Sequence, residues 1–446
     1  MKATNVDASM PMFRSKWRQV ELTWLWALIA FAISGCGQMW SQPTLLAATP
    51  TPVVESDVDA VVMEGETADN STDDRELVLW VPDFVSVSPD EPSGNALTAA
   101  IHQFEQANPG VRVNVQVKHT AGQSSLLNYL LSAQRAAPSV LPDIALVNAQ
   151  NLWQLADLGM TKPIDDDELA RIGEFYPFAV DAVRYQEQIQ GLPFAADVIH
   201  FVYFTSETDA PPQDWEGVLG GNIRYLFPVG GRDGQRAESV LLQYVGAGGQ
   251  LLENGVVDDP EALEAVFRFM ISAQEAGLIP EYVEDLTTLE SVWSTLITEG
   301  TGYANVSSNQ YLGQKDLLSG IGYAQVPTRN GLPATIGRTW ALVVLADEPE
   351  QQALAQGLAE HLLDPAIQGT WSQLAHHLPS QSRALALWTD ATPYQEFLGR
   401  QLDIAVALPN GRAFVDFVQR VQIGLLAIMR RDTTPEEALL EIRTTP

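Results

Sequence analysis

An α/β architecture with parallel strands, spread over more than one domain, is what this chain predicts, and three observations carry that expectation. The first ordered stretch alternates apolar runs of strand length with helical stripes. Roughly 370 ordered residues exceed what a single hydrophobic core usually serves. Cys36 is the sole cysteine of the 446 residues, so a disulfide framework, a thiolate metal site and a cysteine nucleophile are all excluded downstream of it.

The leader comes first. Arg14, Lys16 and Arg18 precede a mostly apolar run from Leu22 to Ala32, followed by Ile33-Ser34-Gly35-Cys36. A basic start, a short apolar middle and a small-residue exit describe a secretory signal. The run is short for roughly 30 Å of hydrocarbon. Ending on Gly-Cys, it is similar to a bacterial lipoprotein lipobox, in which Cys36 is lipidated and becomes the mature N-terminus. An ordinary signal peptide, or a weak anchor helix, with an incidental cysteine is the alternative. Residues 37–76, rich in Ser, Thr, Pro, Ala and acids with Arg75 their one cation, read as a disordered acidic tether.

The formal net charge is −31. The leader does not supply it, because Lys2, Arg14, Lys16 and Arg18 outnumber Asp7 and Glu21. Such acidity argues against nucleic acid, whose phosphates reward Lys and Arg. It argues equally against electrostatic attachment to a membrane, leaving a lipid on Cys36 as the anchor.

Leu77-Val78-Leu79-Trp80-Val81 reads as a strand buried on both faces. Leu97, Ala100, Ile101 and Phe104 mark one stripe of a helix that Asn108-Pro109-Gly110 ends. Val111, Val113, Val115 and Val117 alternate with polar residues, the period of a strand. A helix from Ser125 to Ala136 leads through Pro138 to the buried run Ile144 to Val147. This β-α-β-α-β order calls for a parallel sheet with helices on both faces, a doubly wound sheet. Later, Asp259-Pro260 opens a helix that Gly277 closes. Ala341 to Leu345 reads as a strand. Pro349–Leu363, Ala366–Ala375 and Arg412–Arg430 read as helices, with a further one after Thr434-Pro435.

Several chemistries lack their residues. The six histidines form no His-x-x-x-His or His-Glu-x-x-His pattern. His376-His377 is the one tempting pair, and polarity at a helix end is its plainer reading. Gly230-Gly231-Arg232-Asp233-Gly234 and Gly246-Ala247-Gly248-Gly249 lack the Walker lysine and the dinucleotide spacing, and read as loops. There is no Gly-x-Ser-x-Gly elbow. A pair of glycosidase carboxylates far apart in sequence stays open. No catalytic residue, no metal ligand and no cofactor is assigned.

Aromatics are spread through the ordered region, at Trp80, Phe84, Trp153, Tyr203, Phe227, Trp293, Tyr311, Trp340 and Trp371, and several sit where an apolar run gives way to polar residues. A sugar ring pairs an apolar C–H face with a fringe of hydroxyls. An aromatic plane beside Asp, Asn, Arg or Gln complements it. Trp340 stands out, with Gly337-Arg338-Thr339 before it and Ala341 to Leu345 after.

Four segments carry a family resemblance. They are Pro142 to Val147 with Trp153 to Gly159 and Pro163-Ile164-Asp165; Gly191 to Asp197 with Phe201 to Phe204; Pro327-Thr328 with Gly337 to Trp340; and Leu362 to Gln368 with Trp371 and Leu378-Pro379-Ser380. In their order and spacing the chain resembles the extracellular sugar-binding proteins of ABC importers, solute-binding proteins of the maltose-binding-like lipoprotein type. Two positions depart from the family pattern, Phe204 after Tyr203 and Thr339 before Trp340.

The resemblance implies a two-lobe periplasmic-binding-protein-like fold of type II, each lobe a doubly wound sheet, joined by crossing strands. It implies an N-terminal lobe of 77–195 with 328–380, and a C-terminal lobe of 196–327 with 381–446. A carbohydrate is then held by hinge closure and delivered to ABC permease subunits, by a monomer lipid-anchored outside the cytoplasm. Another small solute (a polyamine, a phosphate ester, an iron complex), an exported glycoside hydrolase and a partner-binding scaffold are the alternatives. Trp80, Asp83 and Phe84 would come from the end of the first strand; Asn148, Gln150 and Asn151 would follow another. Asp197 lies at the first crossing with Tyr203 beyond it. Trp293, Ser307 and Ser308 belong to the second lobe, and Arg338 with Trp340 to the floor.

Overall fold

The computed structural model describes residues 75–229, 237–315, 319–389 and 392–444. The leader with Cys36, the tether as far as residue 74, and the Gly230–Gly234 run lie outside the described residues.

Strand β1 is Arg75–Pro82, two residues earlier than the apolar run predicts. Arg75 and Glu76 are exposed at the end of the strand, yet Arg75 N–H donates to the Gly110 carbonyl at 2.7 Å. The whole of β1 runs parallel to β2, Val111–Lys118, in register from Arg75↔Val111 to Pro82↔Lys118. The helix between them, Pro92–Ala107, buries Leu97, Ala100, Ile101 and Phe104, the stripe that spacing of three and four places on one face. A second helix, Leu126–Ala136, starts where the Ser125 side chain accepts from the Asn128 amide, a cap typically worth about 1 kcal/mol. It leads to β3, Ile144–Asn148, parallel to β1 on its other side.

The remaining strands of the sheet are β4 (Leu192–Phe204), β5 (Tyr225–Leu226), β6 (Tyr303–Ser307), β7 (Ile321–Ala324), β8 (Thr335–Val344), β9 (Leu378–Pro379) and β10 (Ala405–Ala407). Their order is β2-β1-β3-β8-β4-β6-β5, with β7 and β9 also pairing with β4 and β10 with β8. Strand β8 runs antiparallel to both β3 and β4. It begins six residues before the predicted Ala341, because Gly337, Arg338, Thr339 and Trp340 all pair with β4. Gly337 is required there: a Cβ at that position would stand 2.2 Å from the Phe178 ring.

The later helices follow their sequence signals. Pro260–Glu275 is capped by Asp259, which accepts from the Ala262 amide at 3.0 Å. Gly277 follows with φ +72°, a conformation open to glycine at little cost. Pro349–Leu362, Pro365–Leu374, Arg412–Met429 and Pro435–Thr444 complete the set. Gly246, predicted as loop, closes the helix Glu238–Gly246, and the loop proper starts at Ala247.

Two hydrophobic cores are separate. One gathers Leu77, Leu79, Ile144 to Val147, Leu192, Phe194, Ala195, Ala341 to Leu345 and Trp371. The other gathers Ala196, Val198, Ile199, Phe201, Phe227, Phe267, Val306, Ile336 and Phe414. Strand β4 passes from the first to the second between Ala195 and Ala196, and β8 passes back between Ile336 and Ala341. The fold is thus a two-lobed α/β body with both crossings lying side by side in one sheet.

Candidate functional site

The register of the two crossing strands builds the site. Arg338 pairs directly with Asp197 across the β4–β8 ladder. Trp340 pairs with Ala195 on one side and Asn148 on the other, and the register slips by one residue immediately after it. A bulge of this kind re-aims side chains and sits naturally opposite Pro193, which has no N–H for the ladder. Asp197, Arg338 and Trp340 consequently line one groove of about 550 Å³ with Asp83, Phe84, Asn148, Gln150, Asn151 and Ser307. Nine of the thirteen sequence-predicted ligand residues meet there.

Asp197 is the hub. Only 4 % exposed, its carboxylate accepts from Ser307 Oγ at 2.8 Å and from Ser308 Oγ at 2.6 Å. The Arg338 guanidinium lies 3.5 Å away. That guanidinium also holds Glu238, with Nε at 2.9 Å and a second contact through Nη2. Burial works against the charged form of Arg338, yet Glu238 and then Asp197 outweigh it and raise its pKa. The floor of the groove is therefore a fixed network of two carboxylates on one guanidinium, which keeps one net negative charge.

The walls are aromatic on one side. Phe84 meets Trp340 edge-on, with centroids 4.8 Å apart, and lies over His377 at 4.4 Å. Asp83 beside it accepts from the Thr120 amide and contacts His119, each at 3.2 Å. Partial burial would raise its pKa, but these hydrogen bonds outweigh burial and hold it below the usual carboxylate value.

The rest of the lining is polar and only half satisfied. Gln310 Oε1 accepts from the Ser307 amide at 3.1 Å while its Nε2 has no partner. Asn309 Nδ2 donates to His377 Nδ1 at 2.9 Å while its Oδ1 has none. Gln150 Nε2 and Ser239 Oγ are likewise buried and unpartnered. Leaving such groups unmet costs about 1–3 kcal/mol each. A mixture of orphan donors and acceptors around one groove suits a ligand whose groups both donate and accept.

Four expected residues fall elsewhere. Trp80 sits one layer behind the groove, because alternation along β1 turns it toward Tyr129 and under the Lys118 ammonium, 4.6 Å from its ring. Tyr203 is six residues past Asp197 on an extended strand, roughly 20 Å on, with its ring across Gly322. Trp293 is a core residue of the second lobe, edge-on to Tyr311 at 6.4 Å. Ser308, fully buried, supports Asp197 from behind. Cys36 lies outside the described residues.

Sequence reasoning missed Glu238, Ser239, Glu290, Asn309, Gln310 and His377, all of which line the groove. Asn309 and Gln310 were adjacent to a named pair and could have been found from it. His377 was read as helix-end polarity. The helix stops at Leu374, and β9 pairs Leu378 with Ala196, which brings His377 beside Asp197. Its neighbour His376 is exposed, with φ +57°. Burial pushes the pKa of His377 down to about 4, so its ring is neutral and accepts from Asn309.

Among the described residues no group of three or more His, Cys, Asp or Glu could hold a metal ion. No helix among them is long and apolar enough to cross a membrane.

A family model described as bacterial extracellular solute-binding protein matches residues 99–395. Among solved structures, the cyclic α-maltosyl-1,6-maltose binding protein of Arthrobacter globiformis superposes with a TM-score of 0.69 at 18 % identity, covering 82 % of this chain and 97 % of that one. The sugar-binding protein MalE of Xanthomonas citri gives 0.67 at 19 % identity, covering 82 % and 95 %. An ABC transporter solute-binding protein of Thermotoga lettingae bound with α-D-tagatose gives 0.65 at 19 % identity, covering 83 % and 98 %. These likenesses show the fold: the two-lobe arrangement of periplasmic binding proteins.

Proposed function

The chain belongs to the bacterial extracellular solute-binding proteins, and from that premise we propose that its groove captures a carbohydrate by hinge closure and delivers it to an ABC permease. One observation carries the choice of carbohydrate. An edge-packed Phe84–Trp340 pair lines one groove with buried polar atoms, on Gln150, Ser239, Asn309 and Gln310, that lack partners within the protein. A pyranose answers both at once, its C–H face on the rings and its hydroxyls on the amides. That the related folds above include receptors for maltosyl sugars and tagatose supports the same choice.

Binding is capture without transformation in this reading. Asp197 and Glu238, the carboxylates at the floor, already spend their oxygens on serine hydroxyls and Arg338. The lobes exchange chain where β4 crosses at Ala195–Ala196 and β8 returns between Ile336 and Ala341, rather than at residues 327–328, and closure brings Phe84 and Gln150 toward Asn309 and Gln310. Contacts made to both lobes only when closed are what shift the population. The receptor acts as a monomer, and Cys36 tethers it by lipid outside the cytoplasm.

The test is a melting-temperature panel of mono- and oligosaccharides on the full chain, with chromatography of the recovered sugar. Native-state binding raises stability as ligand exceeds its Kd. A concentration-dependent rise with one sugar, recovered intact, is expected. No rise with any sugar, or recovery of shortened products, would overturn the reading.

A further inference from the structure

The groove's charge balance bears on which carbohydrate it accepts, an inference that rests on the receptor reading above. Among the described residues its lining includes the carboxylates of Asp83, Asp197, Glu238 and Glu290, and one guanidinium, Arg338. Among these described residues, four negative charges against one positive leave three in excess. Arg338 has no free face for an anion, because Glu238 and Asp197 both hold it. His377, which might otherwise supply a second cation, is neutral. Asp83 and Glu290 are exposed at the rim, and no cation among the described residues bridges Glu290.

A second feature points the same way. Ser239, 2 % exposed, lines the groove next in sequence to Glu238, and its hydroxyl has no partner. It can accept from an ammonium or donate to a hydroxyl. The charge excess, with unmet donors and acceptors beside it, defines a pocket that attracts a cation and repels an anion.

We propose that the ligand class is a carbohydrate bearing a protonated amine, preferred over its neutral parent, with uronates and sugar phosphates rejected. The amine sits between the rim carboxylates and the Ser239 hydroxyl while the ring rests on Trp340 and Phe84. Rejection of anions follows from the excess of carboxylates, since the described lining holds no unpaired cation to receive them.

The experiment is calorimetric titration of the full chain at pH 7 with glucose, glucosamine and glucuronate, and with galactose, galactosamine and galacturonate. Within the series that binds, the amine form is expected to be about fivefold tighter than the neutral sugar, and the uronate about fivefold weaker. Both gaps should narrow at least twofold, as a rough expectation, in 0.5 M salt, because exposed carboxylates are screened. In Glu290→Gln the amine-to-neutral ratio should narrow likewise, a ratio that loss of folded protein would not move. A uronate that binds as tightly as its neutral parent overturns the charge selection. If neither series binds while a neutral oligosaccharide of the melting panel does, the amine preference falls and the receptor reading stands. If nothing in that panel binds, the receptor reading itself falls and carries this inference with it.

Discussion

Arg338 and Asp197 face each other across the two strands that connect the lobes, paired in register and 3.5 Å apart in their charged groups. The same aspartate orders Ser307 and Ser308, at the start of the second lobe's helix Ser308–Gln314. The crossing and the groove floor are therefore one polar unit, and disturbing it should be felt in both stability and binding.

Asp197→Asn removes the charge that Arg338 faces and weakens two serine hydrogen bonds. Breaking a buried pair at one partner typically costs several kcal/mol. Since Glu238 still engages Arg338, a loss of about 3 kcal/mol is expected from urea unfolding. A loss below about 0.5 kcal/mol would show that the network does not support the fold.

Gly337→Ala should destabilise through crowding alone. The new methyl would meet the fully buried Phe178 ring at 2.2 Å, and overpacking of this kind costs about 1–3 kcal/mol. The double substitution Gly337→Ala with Phe178→Leu should recover part of that loss. Thermal unfolding of the two variants checks it; equal melting temperatures for Gly337→Ala and wild type would contradict the packing described.

Acid should weaken the protein before its surface carboxylates titrate fully. His200 is completely buried, its Nδ1–H donating to the Phe201 carbonyl at 3.2 Å and its Nε2 accepting from Tyr394 at 2.9 Å. Burial lowers its pKa from 6.5 to about 4. The unfolded chain then binds a proton that the native chain refuses, so stability is full above about pH 6.5 and declines as pH falls toward 4. At full expression the effect is on the order of 3 kcal/mol. Denaturation curves at pH 7 and pH 4.5 measure it, and His200→Gln should reduce the difference without abolishing it, because burial lowers His377 to about 4 as well. An unchanged slope in that variant would place the acid sensitivity elsewhere.

Much of this architecture was legible because its signals are local. The run Leu77 to Val81, the stripe Leu97 to Phe104 and the cap at Asp259 each declare an element within a few residues. The site was legible where it lies on strand ends, as at Asp83 and Asn148, or just before a buried apolar run, as at Arg338. It was not legible where long-range pairing decides. His377 reaches the groove only because β9 registers on β4, and Glu238 only because Arg338 reaches across to it. Trp80 and Trp293 misled because an aromatic within a strand or helix has the same local signature whether it faces core or groove. Tyr203 misled for the opposite reason, since distance along an extended strand carried it away from Asp197.

Gln150 is expected to separate binding from folding. Its Nε2 is buried without a partner, so Gln150→Leu removes an unmet donor and should leave stability within about 1 kcal/mol of wild type. Sugar affinity should nonetheless fall by about tenfold, read by titration of both proteins. Equal affinities would remove Gln150 from the ligand shell.

Trp340 carries the proposal most directly, because it stands on the returning crossing strand with Phe84 at its edge and the floor network beside it. Wild type and Trp340→Ala, titrated calorimetrically with the sugar that most raises the melting temperature, should differ by at least about tenfold in Kd, a ring's worth of stacking and burial. The wild type should saturate at one sugar per chain. Equal affinity in the two proteins, or heats that never saturate in either, would contradict the account.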